Sequence, residues 1–285
     1  MARMRLASAL FPVAAFILPS CIVVPESDML RRLEGRAEWH GTVLADQTWV
    51  EARDLLKPET IVVIPLGASA KEHGPQLNLN NDELLASYFT MRVLEKAEVV
   101  VAPAVAYSYY PAFVEYPGST SLRLETARDL LVDIVRSLAR HGPRRFYVLN
   151  TGVSTVKPLK LAQELLAAEG ITLTYTDIIA ASRAACAEVE QQPEGTHADE
   201  IETSMMLFIA PWTVDMSKAT KDFPHGEEPL SPDPAAGERY SPSGISGDAT
   251  LATREKGEKV CECVVKAILA DIDALRTSAL PAAKP

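Results

Sequence analysis

Thr60-Ile61-Val62-Val63-Ile64-Pro65-Leu66 is a short, almost wholly apolar run rich in β-branched residues, closed by Gly67. Such a run reads as a strand buried on both faces, the kind found inside parallel sheets rather than at their edges. The next stretches of the chain support that reading. A helical pattern at Glu83 to Glu95 leads to a second buried strand at Val99 to Val105. Helix Glu125 to Arg140, strand Arg145 to Leu149, helix Leu159 to Glu169 and strand Ile171 to Tyr175 continue the alternation. Strands that alternate with helices predict an α/β fold with a parallel or mostly parallel sheet covered by helices. A further helix starts near Asp199 and stops before Pro211, and Glu255 to Leu275 closes the fold with Val260, Val264, Ile268 and Ile272 on one stripe.

The flanks read differently. Met1-Ala2-Arg3-Met4-Arg5 is positive, Leu6 to Leu18 is apolar, and Pro19-Ser20-Cys21 ends the run. These are the three regions of a secretory signal, and the apolar part is shorter than the ~20 residues that span a bilayer. Leu18-Pro19-Ser20-Cys21 is similar to a bacterial lipobox, so Cys21 is expected at the mature N-terminus, either acylated or simply following a cleaved signal. A lipid anchor there would be the chain's one membrane contact, in the periplasm or on the envelope. The expected organisation is a signal peptide over 1–21, an N-terminal segment over 22–47, one domain over 48–276 and a disordered tail over 277–285. The stretch from Thr220 to Asp248 is rich in proline and glycine and reads as a long loop, which inside a compact domain tends to be functional.

The chain has 285 residues and a formal net charge of −10, which disfavours nucleic acid or an anionic membrane surface as partner. Beyond Cys21 the cysteines are Cys186, Cys261 and Cys263, with no metal-finger spacing; they read as buried thiols, with a disulfide to Cys186 as the alternative.

Two histidines keep suggestive company. His73 follows the first strand in Lys71-Glu72-His73-Gly74-Pro75, where open α/β sheets place their ligands, and Asp82 comes nine residues later. His197 opens His197-Ala198-Asp199-Glu200-Ile201-Glu202. Histidine with carboxylates suits a zinc or harder-cation site. Helix capping accounts for the same acids without chemistry: Asp199 with Glu202 as a capping box, Asp82 as cap of the helix that comes after it.

Taken together, Pro65-Leu66-Gly67-Ala68, His73-Gly74-Pro75-x-Leu77 with Asp82, Tyr116-Pro117-Gly118-Ser119-Thr120-Ser121-Leu122, Leu149-Asn150, His197-x4-Glu202-Thr203-Ser204 and Gly244-Ile245-Ser246-Gly247-Asp248 follow one family's order. The chain resembles the creatininase family of metal-dependent amidohydrolases from about Thr48 to Gly257. The resemblance implies a three-layer α/β/α fold with a largely parallel central sheet, a homohexamer, and a two-metal site that hydrolyses amide-type C–N bonds. It implies metal-binding roles for His73 and Asp82, an acidic position beside the metal for Glu202, and a catalytic role for His197. Lys71 stands where the family has a metal-binding glutamate, Gln76 replaces a histidine, Gly152 replaces a metal-binding histidine, and Glu72 is one residue out of register. The ligand set is therefore reduced, and one zinc or manganese ion per subunit is expected rather than two, with Lys71 supplying positive charge. Glu72, Tyr110, Tyr116, Gly118 and Ser119 are expected to line the pocket for a small-molecule substrate.

Two functions fit this reading: an exported hydrolase of cyclic or linear amides, or a non-catalytic envelope protein that keeps the pocket for binding or the oligomer as a scaffold. On export, a fatty-acid analogue fed to cells is expected to label the wild type and spare Cys21→Ala. Unprocessed protein in the cytoplasm with Met1 intact would contradict it.

Overall fold

The computed structural model describes residues 39–280, apart from His225 and Glu227. The expected signal segment with Cys21, most of the expected 22–47 segment and residues 281–285 lie outside the described residues.

Five strands, β1 (Thr42–Val43), β2 (Ile61–Leu66), β3 (Val100–Val101), β4 (Arg145–Asn150) and β5 (Thr172–Tyr175), form one sheet in the order β1-β3-β2-β4-β5. Every pairing is parallel. Among the described residues seven α-helices accompany them: α1 (Trp49–Leu55), α2 (Asn81–Lys96), α3 (Leu124–Ala139), α4 (Val156–Ala167), α5 (Ile178–Val189), α6 (Glu200–Ile209) and α7 (Arg254–Thr277). Because side chains alternate along a strand, β2 and β4 each serve two cores. Ile61, Val63, Tyr147 and Leu149 join α2, α5, α6 and α7 on one face; Val62, Ile64, Phe146 and Val148 join α3 and α4 on the other. The result is the three-layer α/β/α arrangement.

Pro65 sits inside the central strand, where a missing N–H ordinarily breaks a ladder. Its carbonyl accepts from Val105 N at 2.8 Å, so its nitrogen also faces the β3 side. The regular β3 pairing covers only Val62 and Val63 and has ended before Pro65, so no ladder bond is lost there. The expected strand Val99 to Val105 is cut short in the same place: beyond Val101 it keeps only the bridge from Val105 to Leu66, and Pro103 lies between.

Two elements add to those expected from the sequence. The two-residue β1 pairs with β3, so the sheet starts ahead of Thr48. Helix α5 fills the stretch after β5; it is alanine-rich, a composition of high helix propensity, and Asp177 caps it by accepting from Ala180 N at 3.0 Å. At the C-terminus α7 runs to Thr277, and the Ser278 carbonyl accepts from Arg145. The Thr220 to Asp248 loop is tied at its ends by a small antiparallel pair, Lys221–Asp222 with Gly247–Asp248. Cys186, Cys261 and Cys263 are free thiols, so the alternative of a disulfide to Cys186 is not realised. Burial pushes the Cys261 thiol up.

Helices α6 and α7 pack closely at Gly257, where a Cβ would overlap the Ser204 carbonyl. Ala is the better helix former, but here overpacking decides. Gly257→Ala is expected to cost about 1–3 kcal/mol of stability in urea unfolding; an unchanged or stabilised variant would contradict the close contact.

Candidate active site

Leu66 and Asn150, the last residues of β2 and β4, lie side by side at the carboxyl edge of the sheet. From β2 the chain passes through α2 to β3 on one side, then returns across to β4 on the other. Such a reversal leaves a crevice beyond the strand ends, the usual ligand position in open α/β sheets. The loop after β2 delivers Lys71, Glu72 and His73 into it, and Asp82 enters from the first turn of α2.

Asp82 is the meeting point. Its Oδ2 lies 2.8 Å from Lys71 Nζ and its Oδ1 2.9 Å from His73 Nε2, all three residues being buried. Burial alone would raise the Asp82 pKa, but the Lys71 ammonium and then His73 hold the carboxyl well below the usual carboxylate range. For Lys71, burial disfavours the charge, yet Asp82 and then Glu202 outweigh it and hold the ammonium above the ordinary lysine value. The pair is therefore ionised on both sides. The ammonium also sits 5.6 Å from the Tyr110 ring centroid and 5.9 Å from that of Phe113, within cation–π reach.

His73 Nδ1 lies 2.8 Å from the Lys71 carbonyl oxygen and must donate to it. A neutral ring then aims the Nε2 lone pair at Asp82 and at Glu202 Oε1, 3.5 Å away. Lone pair against carboxylate is favourable only with a cation between or on them.

His197 faces this group from the segment before α6, its ring centroid 5.0 Å from that of His73 and stacked on Phe113 at 3.9 Å. Its Nε2 is 2.9 Å from the Glu72 carbonyl oxygen and 3.1 Å from Glu72 Oε2, so Nε2 carries the proton. Nδ1 is left facing Glu202 Oε2 at 3.7 Å. Glu72 thus backs the His197 ring, turned there by the loop; its carboxylate also accepts from Gly74 N. Burial pushes the Glu72 pKa up, but the bond to His197 with its charge, and the Gly74 N–H, outweigh it and leave the group below its ordinary value. A side chain at Gly244 would occupy the space of the Glu72 carboxylate, which ties the Gly244-Ile245-Ser246-Gly247-Asp248 stretch to the site.

The capping explanation holds for Asp199 and fails for Asp82 and Glu202. Asp199 Oδ1 accepts from Ile201 N and Glu202 N at 2.9 Å, and burial pushes its pKa up to about 6. The N-cap of α2 is Asn80, and Asp82 spends its carboxylate on Lys71 and His73. Glu202 does not close a box on Asp199; it accepts from Ala198 N at 2.7 Å and Asn81 Nδ2 at 2.8 Å. Ala198 has φ 49°, a left-handed conformation rare for a residue with a Cβ, and Gln76 Nε2 donates to its carbonyl at 2.8 Å. Gln76 thus braces the turn between His197 and Glu202.

The four remaining expected pocket residues form the support behind the site. Tyr110 is buried beneath Lys71, the Tyr116 hydroxyl donates to the Ser241 carbonyl at 2.7 Å, Gly118 makes the turn, and Ser119 Oγ accepts from Glu72 N at 2.9 Å. At Gly152 no ligand is present and no room is spare, since a Cβ would lie 2.8 Å from Thr155 Oγ1. A cavity of about 580 Å3 opens over Lys71, His197 and Glu202, walled by Phe113, Thr151 and residues of α4 and α5.

The family model described as creatinine amidohydrolase matches residues 45–272. The chain belongs to the creatininase family. Creatinine amidohydrolase of Pseudomonas putida is 31% identical over 257 residues, covering 82% of this chain and 95% of that protein. The mycofactocin precursor peptide peptidase of Mycolicibacterium smegmatis is 31% identical over 219 residues, 73% of this chain and 83% of its own. A crystal structure of creatininase superposes with a TM-score of 0.69 at 27% identity, over 84% of this chain and 99% of that one. Similar structures include a manganese creatininase and a creatininase of Zn–Zn type.

The donor set fits such a cation. His73, His197 and Glu202 each offer a ligand atom within 4.8 Å of the others, and Asp82 stands against His73. Two donors each about 2.1 Å from one zinc are separated by roughly 3–3.5 Å, and the His73 contacts to Asp82 and Glu202 are 2.9 and 3.5 Å. These findings support a divalent metal in this crevice.

Removing one partner of a buried ion pair strands the other, at a cost of about 3–5 kcal/mol. Lys71→Met is expected to show that loss at neutral pH in urea unfolding. Because Asp82 is held below its unfolded pKa of ~3.9, the difference from wild type is present above that pH and shrinks as the medium falls below it. Equal stability of the two proteins at pH 7 would contradict the pairing.

Proposed function

We propose that this protein is an exported hydrolase of amide-type C–N bonds in a small molecule, using one divalent ion, zinc or manganese, together with the Lys71 ammonium. The observation that carries the proposal is the Asp82 carboxylate shared between Lys71 and His73 at 2.8 and 2.9 Å. A fixed ammonium stands where the family resemblance places a metal-binding glutamate, and Gly152 offers no donor. Of the donors within reach, His73, Asp82 and Glu202 are to hold the ion, and His197 is kept for proton transfer. When bound, the ion supplies Lewis acidity and lowers the pKa of water.

The protein's own groups divide the remaining work. Lys71 lines the cavity with its charge fixed by Asp82, placed to stabilise negative charge on the carbonyl oxygen as the tetrahedral intermediate forms. Glu72 holds the proton on His197 Nε2, which leaves Nδ1 free to take a proton from the attacking water and return it to the leaving nitrogen. Phe113, stacked on the imidazole, fixes the ring plane and shields it from solvent. The C–O bond forms, the C–N bond breaks, and the products are a carboxylate and an amine. The signal-like N-terminal segment supports a location in the cell envelope, and the family resemblance supports a homo-oligomer.

The test is an assay of cyclic and linear amides, including creatinine, lactams and formamides, with Zn2+ or Mn2+ added. Wild type is expected to turn over at least one of them. Lys71→Ala should lose about 10²–10³-fold in kcat, the usual scale for one electrostatic stabiliser, and His73→Ala all detectable activity. Metal-loaded wild type inert across the panel would overturn the proposal.

A further inference from the structure

Beyond Lys71 and His197, the side chains that line the cavity divide by burial. Leu85 on α2, Ile178 on α5 and Ile201 with Met205 on α6 are buried, and all four belong to the core on that face of the sheet. Lys157, Arg183, Glu190 and Glu228 are exposed. These charges therefore form a solvated rim of both signs, and the inner end of the cavity is apolar. Asp199 lines the cavity and is buried, but its carboxylate is spent on Ile201 N, Glu202 N and Gln192 Nε2.

The packing of α5 explains this apolar slot. The helix rests on α7, where its Ala181 carbonyl accepts from Cys263 Sγ at 3.5 Å. Ile178, Ser182 and Cys186 recur every four residues, so they share one stripe of α5, and all three line the cavity. Ser182 and Cys186 are small and leave width there. The Ser182 hydroxyl is turned back onto its own helix, donating to the Ile179 carbonyl at 3.2 Å. On the other side Ile201 and Met205 stand one turn apart on α6, and Leu85 stands one turn past Asp82 on α2. The slot is thus built from the same helix turns that carry Asp82 and Glu202. The whole cavity, about 580 Å3, is within the ~300–1,000 Å3 that enclose drug-sized ligands.

Resting on the hydrolase reading above, we infer that the substrate is an amide that carries a hydrocarbon chain, and that the slot between α2, α5 and α6 receives the chain while the amide lies over Lys71 and His197. The inner end offers little to a polar substituent, because Ser182 is satisfied within its helix, Asp199 within its cap, and Cys186 has only a weakly polar thiol. A polar group placed there would lose its water without gaining a partner. A hydrocarbon is instead drawn in by the burial of its own surface and that of Leu85, Ile178, Ile201 and Met205.

Chain length is the variable that tests this. Two series of probes are titrated calorimetrically into protein dialysed against Zn2+ or Mn2+ and assayed for hydrolysis in parallel. Acetamide, butanamide, hexanamide and octanamide carry the chain on the acyl side; N-ethyl-, N-butyl- and N-hexylformamide carry it on the nitrogen. In at least one series wild type is expected to bind about fourfold more tightly for each methylene taken out of water, and the series that shows the rise tells which side of the amide enters the slot. Ser182→Phe and Cys186→Phe fill the slot from successive turns of α5, and each should flatten the rise toward onefold per methylene. Ala184→Phe, on the exposed side of the same helix, should keep it. Thermal melting identifies any variant that has not folded, and the remaining filler then decides. No rise in either series, a rise that survives in a folded filler variant, or no binding by any probe would overturn the inference. A rise in affinity without hydrolysis of any amide would sink the hydrolase reading alone; hydrolysis that is indifferent to chain length would sink this one alone.

Discussion

The buried pair of Lys71 with Asp82 is the contact on which the site depends. It joins the loop after the central strand to the first turn of the next helix, and it decides the charge state of both groups. An ammonium out of water survives only against a carboxylate, and Asp82 is shared with His73. Once Asp82 is fixed, His73 is turned by its bond to the Lys71 carbonyl, and Glu202 and His197 close the circle from α6 and the segment before it. The sheet prepares this arrangement by bringing the ends of β2 and β4 together at the reversal of strand order.

Much of the fold is legible in the sequence because burial on both faces writes itself into composition. The runs that form β2 and β4 are buried along their whole length, and α3 and α7 carry clear stripes. The parts that escape a sequence reading share a physical reason. In β3 a local propensity for extended structure continues past the point where Pro103 interrupts pairing, so the ladder is shorter than the apolar run. In α5 alanine gives helix propensity without a strong apolar stripe, and the informative signal is the Asp177 cap. The two residues of β1 are too few for any periodicity.

The site is legible through the order of its motifs, and its geometry through chemistry only in part. That Lys71 seeks Asp82 follows from the need to neutralise a buried ammonium. Glu72 is harder: as an extended residue it would point away from His73, but the loop turns, and the carboxylate meets His197, whose position 125 residues further along the chain no spacing rule conveys. The aromatic residues mislead for a related reason. Tyr110 and Tyr116 lie near the pocket in sequence, yet one is buried under Lys71 and the other is held by the Ser241 carbonyl, so they shape the cavity from behind while Phe113 meets it. Glu202 is ambiguous in sequence because a helix N-terminus attracts acids for its own sake; its bonds to Ala198 and Asn81 hold the carboxylate in place for the crevice rather than for the cap.

In the proposed site Lys71 is a permanent substitute for one cation of a two-cation centre, and metal stoichiometry tests that most directly. Protein purified without chelator, then dialysed against a modest excess of Zn2+ or Mn2+, would be analysed by mass spectrometry for metal per chain. The expected result is one tightly held ion per subunit. Two ions bound stoichiometrically beside an intact Lys71 would contradict it, as would protein that retains none.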